Sequence, residues 1–392
     1  MDLDALARPL TKTTRRTQYP AIDPTNPANS AIGKTVVITG GTGGIGYLIA
    51  RGFFKAGAGT IILLARRQEA LDEGSANLRA EIAAAKGKTD VWTYLLDVGN
   101  AGPDPINVLF EDIRKRLNDE GKGKDVDILV TNAASVDQGK TALEFDPKVI
   151  QDSFNTNVIG HLNIVRAFLA PEIPAIPLTA LGGQEKDTSR ALIPKHEKVI
   201  LDVSTGAIHV QLPGQAIYST SKLSFTHLLT HLQTELDRLP GSPVRIISFN
   251  PGVILSPGAR RIGLKEGDLP SDDDSLPEGF AVWLASPAAA FLKGRFVWSR
   301  WDVEELIALK PKFEEDPTFC QVVLSDWESS TSIEEPTVEL IEEWLAPLPL
   351  NSQFQRTHNA AVSARHPDTE TRFLDTPTFA NWVDEPSINK TR

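Results

Sequence analysis

The chain has 392 residues, a net charge of −11, a hydrophobic fraction of 41% and one cysteine, Cys320. The length admits one large α/β domain with extensions or two modest domains. The acidity argues against a broad nucleic-acid footprint, and a single cysteine excludes an intrachain disulfide and a cysteine-built metal site, in keeping with a reducing compartment.

In chain order, residues 1–33 are rich in Pro, Thr and Asn and read as an arm lying on a domain. Arg15 and Arg16 stand among Asp2, Asp4 and several prolines, which makes a poor transit peptide, and no secretory apolar core is present. No apolar run is long enough to span a bilayer. A cytoplasmic protein with no membrane partner is the expectation.

Thr35–Thr39 is a β-branched apolar run suited to a strand buried on both faces. A glycine cluster follows, and then Ile45, Leu48, Ile49, Gly52 and Phe53 fall on one helix face, closed by Gly57 and Gly59. Further strands are predicted at 60–64, 91–96, 127–131, 199–203 and 244–249, and helices at 106–117, 147–169 and 218–239. Short apolar strands alternating with helices argue for a parallel sheet covered on both faces.

Residues 171–197 are Pro-rich and then polar, a lid, an oligomer contact or a surface insertion. Residues 258–276 read as a mobile loop, with Asp272, Asp273 and Asp274 solvated rather than metal-binding. Segments 280–284 and 291–298 are apolar again, so the core is expected to close near residue 310. Residues 311–392 read as a C-terminal extension, partly disordered.

The cluster Thr39-Gly40-Gly41-Thr42-Gly43-Gly44-Ile45-Gly46 sits between a strand and a helix. In that frame, glycines let backbone approach a pyrophosphate and the helix N-terminus favours its charge. The following strand ends in Ala65-Arg66-Arg67. An acid there would suit NAD, whereas Arg66 offers a planar fork to the extra phosphate of NADP, so NADP(H) is favoured over NAD(H). Tyr218 and Lys222 stand four apart in a helical segment and so share a face. A cation beside a phenol favours the phenolate, and such a tyrosine can exchange a proton with an alcohol or carbonyl oxygen.

The order of these motifs resembles the short-chain dehydrogenase/reductase family over about residues 30–310. The glycine turn matches, Asp97 follows the third strand, Asn132-Ala133-Ala134 the fourth and Ser204-Thr205 the fifth. Asn157 lies between them on a helix, and Pro251-Gly252-Val253 follows the sixth strand. The N-terminal arm and residues 280–304 are similar to fungal members.

The resemblance implies a Rossmann-type doubly wound parallel sheet in a single main domain, residues 34–310, with N- and C-terminal extensions. It implies that Tyr218 is the general acid/base and that Lys222 lowers its pKa and binds the nicotinamide ribose. Asn157 would hold a water in a proton relay, Asp97 contact the adenine and Asn132 pack on the cofactor. Gly40, Thr42, Gly43, Gly44, Ile45, Gly46, Val98, Ala133, Ala134, Pro251, Gly252, Val253 and Ser256 complete the implied cofactor contacts, Val253 at the carboxamide side. The family's serine falls at Thr205, thirteen residues before the tyrosine, or at Ser204 if the turn shifts by one. A small-molecule alcohol or carbonyl substrate and a homodimer or homotetramer are implied as well. Two other readings stay open: a non-catalytic NADP(H)-binding regulator, and an NAD-dependent epimerase/dehydratase-type enzyme, whose glycine spacing Gly40, Gly43, Gly46 also fits.

Overall fold

The computed structural model describes residues 10–322, apart from 171–196 and positions 124, 240, 242, 262, 264, 268 and 269. The first strand, β1 (Thr35–Thr39), is buried along its whole length, as its apolar, β-branched composition requires. It feeds through the glycine turn into α1 (Gly44–Lys55). The chain continues through β2 (Thr60–Ala65), α2 (Gln68–Ala84), β3 (Asp90–Leu95), α3 (Pro103–Asp119) and β4 (Ile128–Thr131). Next come α4 (Pro147–Phe154), a π-helical turn (Asn155–Gly160), α5 (His161–Leu169), β5 (Lys198–Val203) and α6 (Ala216–Leu236). β6 (Val244–Asn250), α7 (Pro257–Arg261), α8 (Ser275–Ala285), β7 (Phe296–Trp298), α9 (Val303–Ala308) and α10 (Lys310–Glu315) follow.

The seven strands are all parallel, in the order β3-β2-β1-β4-β5-β6-β7. Side chains alternate across them, so each strand feeds two cores. Val36 and Ile38 join Phe53, Phe280 and Trp283 on the face covered by α1, α2 and α8. Val37 joins Phe110, Phe168 and Phe225 under α3, α5 and α6. Each such large side chain, fully hidden, contributes about 1.5–3 kcal/mol. The doubly wound sheet expected from the sequence is the one observed.

The helix α2 goes beyond the sequence reading. The buried stripe of α2 holds only three large apolar residues, Leu71, Leu78 and Ile82, with Gly74 and Ser75 filling the rest. A pattern that thin is hard to tell from a polar loop.

Two expectations are corrected. The segment read as a mobile loop contains α7 and an anchor, because Asp272 is buried, not solvated. It forms an ion pair with the buried Arg300 at 2.7 Å and a longer one with Arg16 at 3.3 Å. Burial also continues past residue 310, where Phe313 packs edge-on against Phe291 and Phe319. The described part of the arm is fastened to the domain. Ile22 is fully buried, and the Tyr19 hydroxyl accepts a 2.8 Å bond from the Val303 amide. Residues 1–9, 171–196 and 323–392, which hold the predicted insertion and most of the tail, lie outside the described residues.

Candidate active site

Because every strand points the same way, their carboxyl ends share one edge. The chain fills one side of β1 and then the other, and such a switch point leaves a crevice. A cleft of about 880 Å³ opens there. Its walls contain every candidate residue named from the sequence except Gly46 and Asn157.

The glycine turn is built by steric necessity. A Cβ on Gly46 would lie 2.4 Å from the Gly40 carbonyl oxygen and 2.5 Å from the Asn132 amide nitrogen. That amide donates to the Thr39 and Gly40 carbonyls, at 3.0 and 3.2 Å, bracing the turn from β4. Gly44 has φ +54° and its Cβ position faces Ser256, whereas a Cβ on Gly43 meets nothing within 4 Å. Within the fold itself the demanding positions are therefore Gly40, Gly41, where a Cβ would meet Leu63 Cδ2 at 2.9 Å, Gly44 and Gly46, and Gly43 is not among them. Gly46→Ala is expected to lower stability by about 1–3 kcal/mol through overpacking and to remove dinucleotide binding. Gly43→Ala is expected to leave the melting temperature within a few degrees. Thermal melts of the two variants check this, and equal losses would count against it.

At the adenosine end, Arg66 and Arg67 are exposed and line the cleft, with Glu73 of α2 nearby. Neither guanidinium has a hydrogen bond or ion pair among the described residues. The Asp97 carboxylate accepts from the Gly99 amide at 3.1 Å and the Asn100 side chain at 2.9 Å. Val98 lies beside it, and Ala133 and Ala134 line the wall between it and the catalytic end.

At the other end, α6 carries Tyr218 and Lys222 on one face. Lys222 is buried, and its ammonium donates to the Val203 carbonyl at 2.7 Å and faces Asp202 at 3.6 Å. An unpaired buried ammonium would cost several kcal/mol, so Asp202 is what permits Lys222 to stand there. Asp202 in turn accepts from Thr131 and Thr226, both at 3.2 Å. The sequence reading overlooked it, although a lone acid in the apolar run of β5 is a signal: a charge in a buried strand needs a partner.

The net shift of the Tyr218 phenol runs opposite to the lowering expected. Burial raises the phenol pKa, the Thr205 hydroxyl lowers it and Asp202 raises it, for a net upward shift. The Lys222 ammonium is engaged by β5.

The two candidate hydroxyls are placed differently. Ser204 turns inward, its Oγ 2.7 Å from Thr226 Oγ1. Thr205 caps the short helix Gly206–His209 and is the polar neighbour of Tyr218. Asn157, on the π-helical turn, is fully engaged. It accepts from the Ser135 amide at 2.8 Å and donates to the Ser135 carbonyl and Ser221 Oγ, both at 2.9 Å. Its side chain fixes the wall of the cleft rather than facing it. Ser256 Oγ accepts from the Ala259 amide at 3.1 Å. Pro251 and Gly252 line the cleft, and Val253 is held by Asp272, which accepts its N–H at 2.8 Å.

A family model described as short chain dehydrogenase matches residues 34–173. A curated short chain dehydrogenase/reductase from Claviceps purpurea is 32% identical over 321 residues, covering 82% of this chain and 96% of the relative. The short chain dehydrogenase/reductase nsrO of Aspergillus novofumigatus is 32% identical over 293 residues, covering 74% and 89%. Among solved structures, the angucycline C-6 ketoreductase LanV with bound NADP aligns with TM-score 0.53 and 22% identity, covering 69% of this chain and 95% of that one. At that identity the likeness concerns the fold.

Proposed function

The chain belongs to the short-chain dehydrogenase/reductase family, and on that premise we propose that it moves hydride between NADP(H) and the carbonyl or alcohol group of a small molecule, with Tyr218 as proton donor and acceptor. One observation carries the reading. Tyr218, Thr205 and Lys222 line the same cleft as the glycine turn.

A dinucleotide suits the residues present. The turn excludes side chains where backbone must come close, and the N-terminus of α1 favours anionic phosphate. The bound cofactor would supply or accept the hydride. In reduction, Tyr218 protonates the substrate oxygen as charge builds on it, while the Thr205 hydroxyl hydrogen-bonds that same oxygen. Lys222, fixed by Val203 and Asp202, would hold the nicotinamide ribose. Purified protein with NADPH and a panel of ketones and aldehydes tests the reading. Substrate-dependent loss of NADPH absorbance is expected, and saturable NADPH binding with no turnover of any of them would overturn it in favour of a regulator.

The choice of NADP rests on Arg66, exposed on the cleft just past β2. A charge-assisted contact to phosphate contributes about 1.5–3 kcal/mol, roughly tenfold to a hundredfold in affinity. Arg66→Asp is therefore expected to weaken NADPH binding at least tenfold and to leave NADH within about twofold. Fluorescence titrations with both nucleotides decide it; equal weakening of the two would refute the phosphate contact.

A further inference from the structure

We infer that the substrate is an uncharged carbonyl or alcohol compound with a planar ring system, and that Trp298 is the specificity-determining residue against which the ring packs. The inference rests on the hydride-transfer reading and adds the substrate class to it.

Trp298 ends β7, the last parallel strand, and so stands at the cleft edge beside Asn250 of β6. A Cβ on Gly206 would lie 2.4 Å from the indole Cη2. The ring therefore rests against the backbone of the residue that follows Thr205. His209 stacks on it, centroids 5.9 Å apart and planes 27° apart, and Phe296 meets it edge-on. The indole is thus fixed from two sides, half-buried, and still lines the cleft. A rigid aromatic wall beside a reactive hydroxyl binds a flat ring without ordering a flexible side chain.

The surrounding chemistry excludes charge. Val136, Ala207, Val210, Leu212 and Ile254 supply apolar surface at this end. The two cations among the described residues here are already committed, Lys222 to Asp202 and Arg300 to Asp272. A substrate carboxylate or phosphate would be desolvated without a partner, which is costly.

The test uses the full chain with 1-tetralone as the flat bicyclic ketone, 2-octanone as the flexible one and phenylglyoxylate as the charged aryl ketone. The wild type is expected to prefer 1-tetralone and to use phenylglyoxylate poorly. Trp298→Ala should raise KM for 1-tetralone about tenfold, the scale of a lost aromatic contact, and leave 2-octanone within about twofold. Trp298→Phe, which keeps a ring and the fold, should recover most of the loss. Equal changes for both neutral ketones, or a preference for phenylglyoxylate, would overturn the inference. Calorimetric titration of 1-tetralone into the NADP+ complex separates the two readings. If no ketone turns over but Trp298→Ala still loses 1-tetralone binding, hydride transfer fails and the ring site stands. If binding is unchanged, the ring site fails.

Discussion

Tyr218→Phe is expected to reduce carbonyl turnover by about 10²–10⁴-fold, the usual contribution of a positioned acid or base, while NADPH binding stays within about twofold. The substitution removes one oxygen and keeps the ring that packs in the wall of the cleft, so structural loss is minimal. The phenol is the proton source for the substrate oxygen, and its pKa is raised by burial and by Asp202 against a smaller lowering by Thr205. A raised pKa keeps the phenol protonated through neutral pH. Reduction, which consumes that proton, should therefore run flat across neutral pH and fall only as the pH climbs through the tyrosine pKa. Oxidation of the corresponding alcohol needs the phenolate and should rise with pH instead. Steady-state rates in both directions over pH 6–10, with the range set by the ordinary tyrosine value of about 10, read out the sign. Full activity of the phenylalanine variant, or a reduction rate that climbs with pH, would remove Tyr218 from the chemistry.

What the sequence made legible follows the range of the interactions. β1, the glycine turn and α1 are contiguous, and their apolar pattern and glycines are read within a dozen residues. Tyr218 and Lys222 share a face because helix geometry places i and i+4 together. The ammonium's partners, by contrast, come from β5 across the sheet, so helix periodicity could not reveal that Lys222 faces Asp202 and Val203. The choice between Ser204 and Thr205 is of the same kind. A one-residue offset at a strand end exchanges the inward and outward faces, and only the contact with Thr226 on α6 shows that Ser204 is the inward one. Trp298 was visible as a tryptophan at the end of the last predicted apolar segment, but its place on the cleft depends on β7 joining the sheet parallel to β6. The acidic run 272–274 misled for a clear reason: charge density reads as solvent exposure unless cations elsewhere in the chain are folded onto it, here Arg16 and Arg300.

That last arrangement sets the second large effect. Asp272→Ala is expected to lower the free energy of unfolding by about 3–5 kcal/mol, the cost of breaking a buried pair from one side. Arg300 donates through Nε to both carboxylate oxygens, at 2.9 and 2.7 Å, and is itself buried. Without the carboxylate its charge loses both of those bonds in a poorly solvated place. The same carboxylate accepts the Val253 amide, and the Asp272 amide donates back to the Val253 carbonyl at 2.8 Å. The variant should therefore also loosen residues 251–254 at the cleft and raise KM for NADPH. Arg16→Ala is expected to cost under about 1 kcal/mol, because its guanidinium is partly exposed and its contact is longer, the regime in which surface pairs contribute little. Replacing both Asp272 and Arg300 by apolar residues removes the stranded charge and should recover stability relative to Asp272→Ala, while the defect in NADPH binding persists because Val253 stays unanchored. Urea melts of the three variants with parallel NADPH titrations separate these effects. If Asp272→Ala unfolds within about 1 kcal/mol of the wild type, water reaches Arg300 more readily than its burial implies and the anchor is not needed.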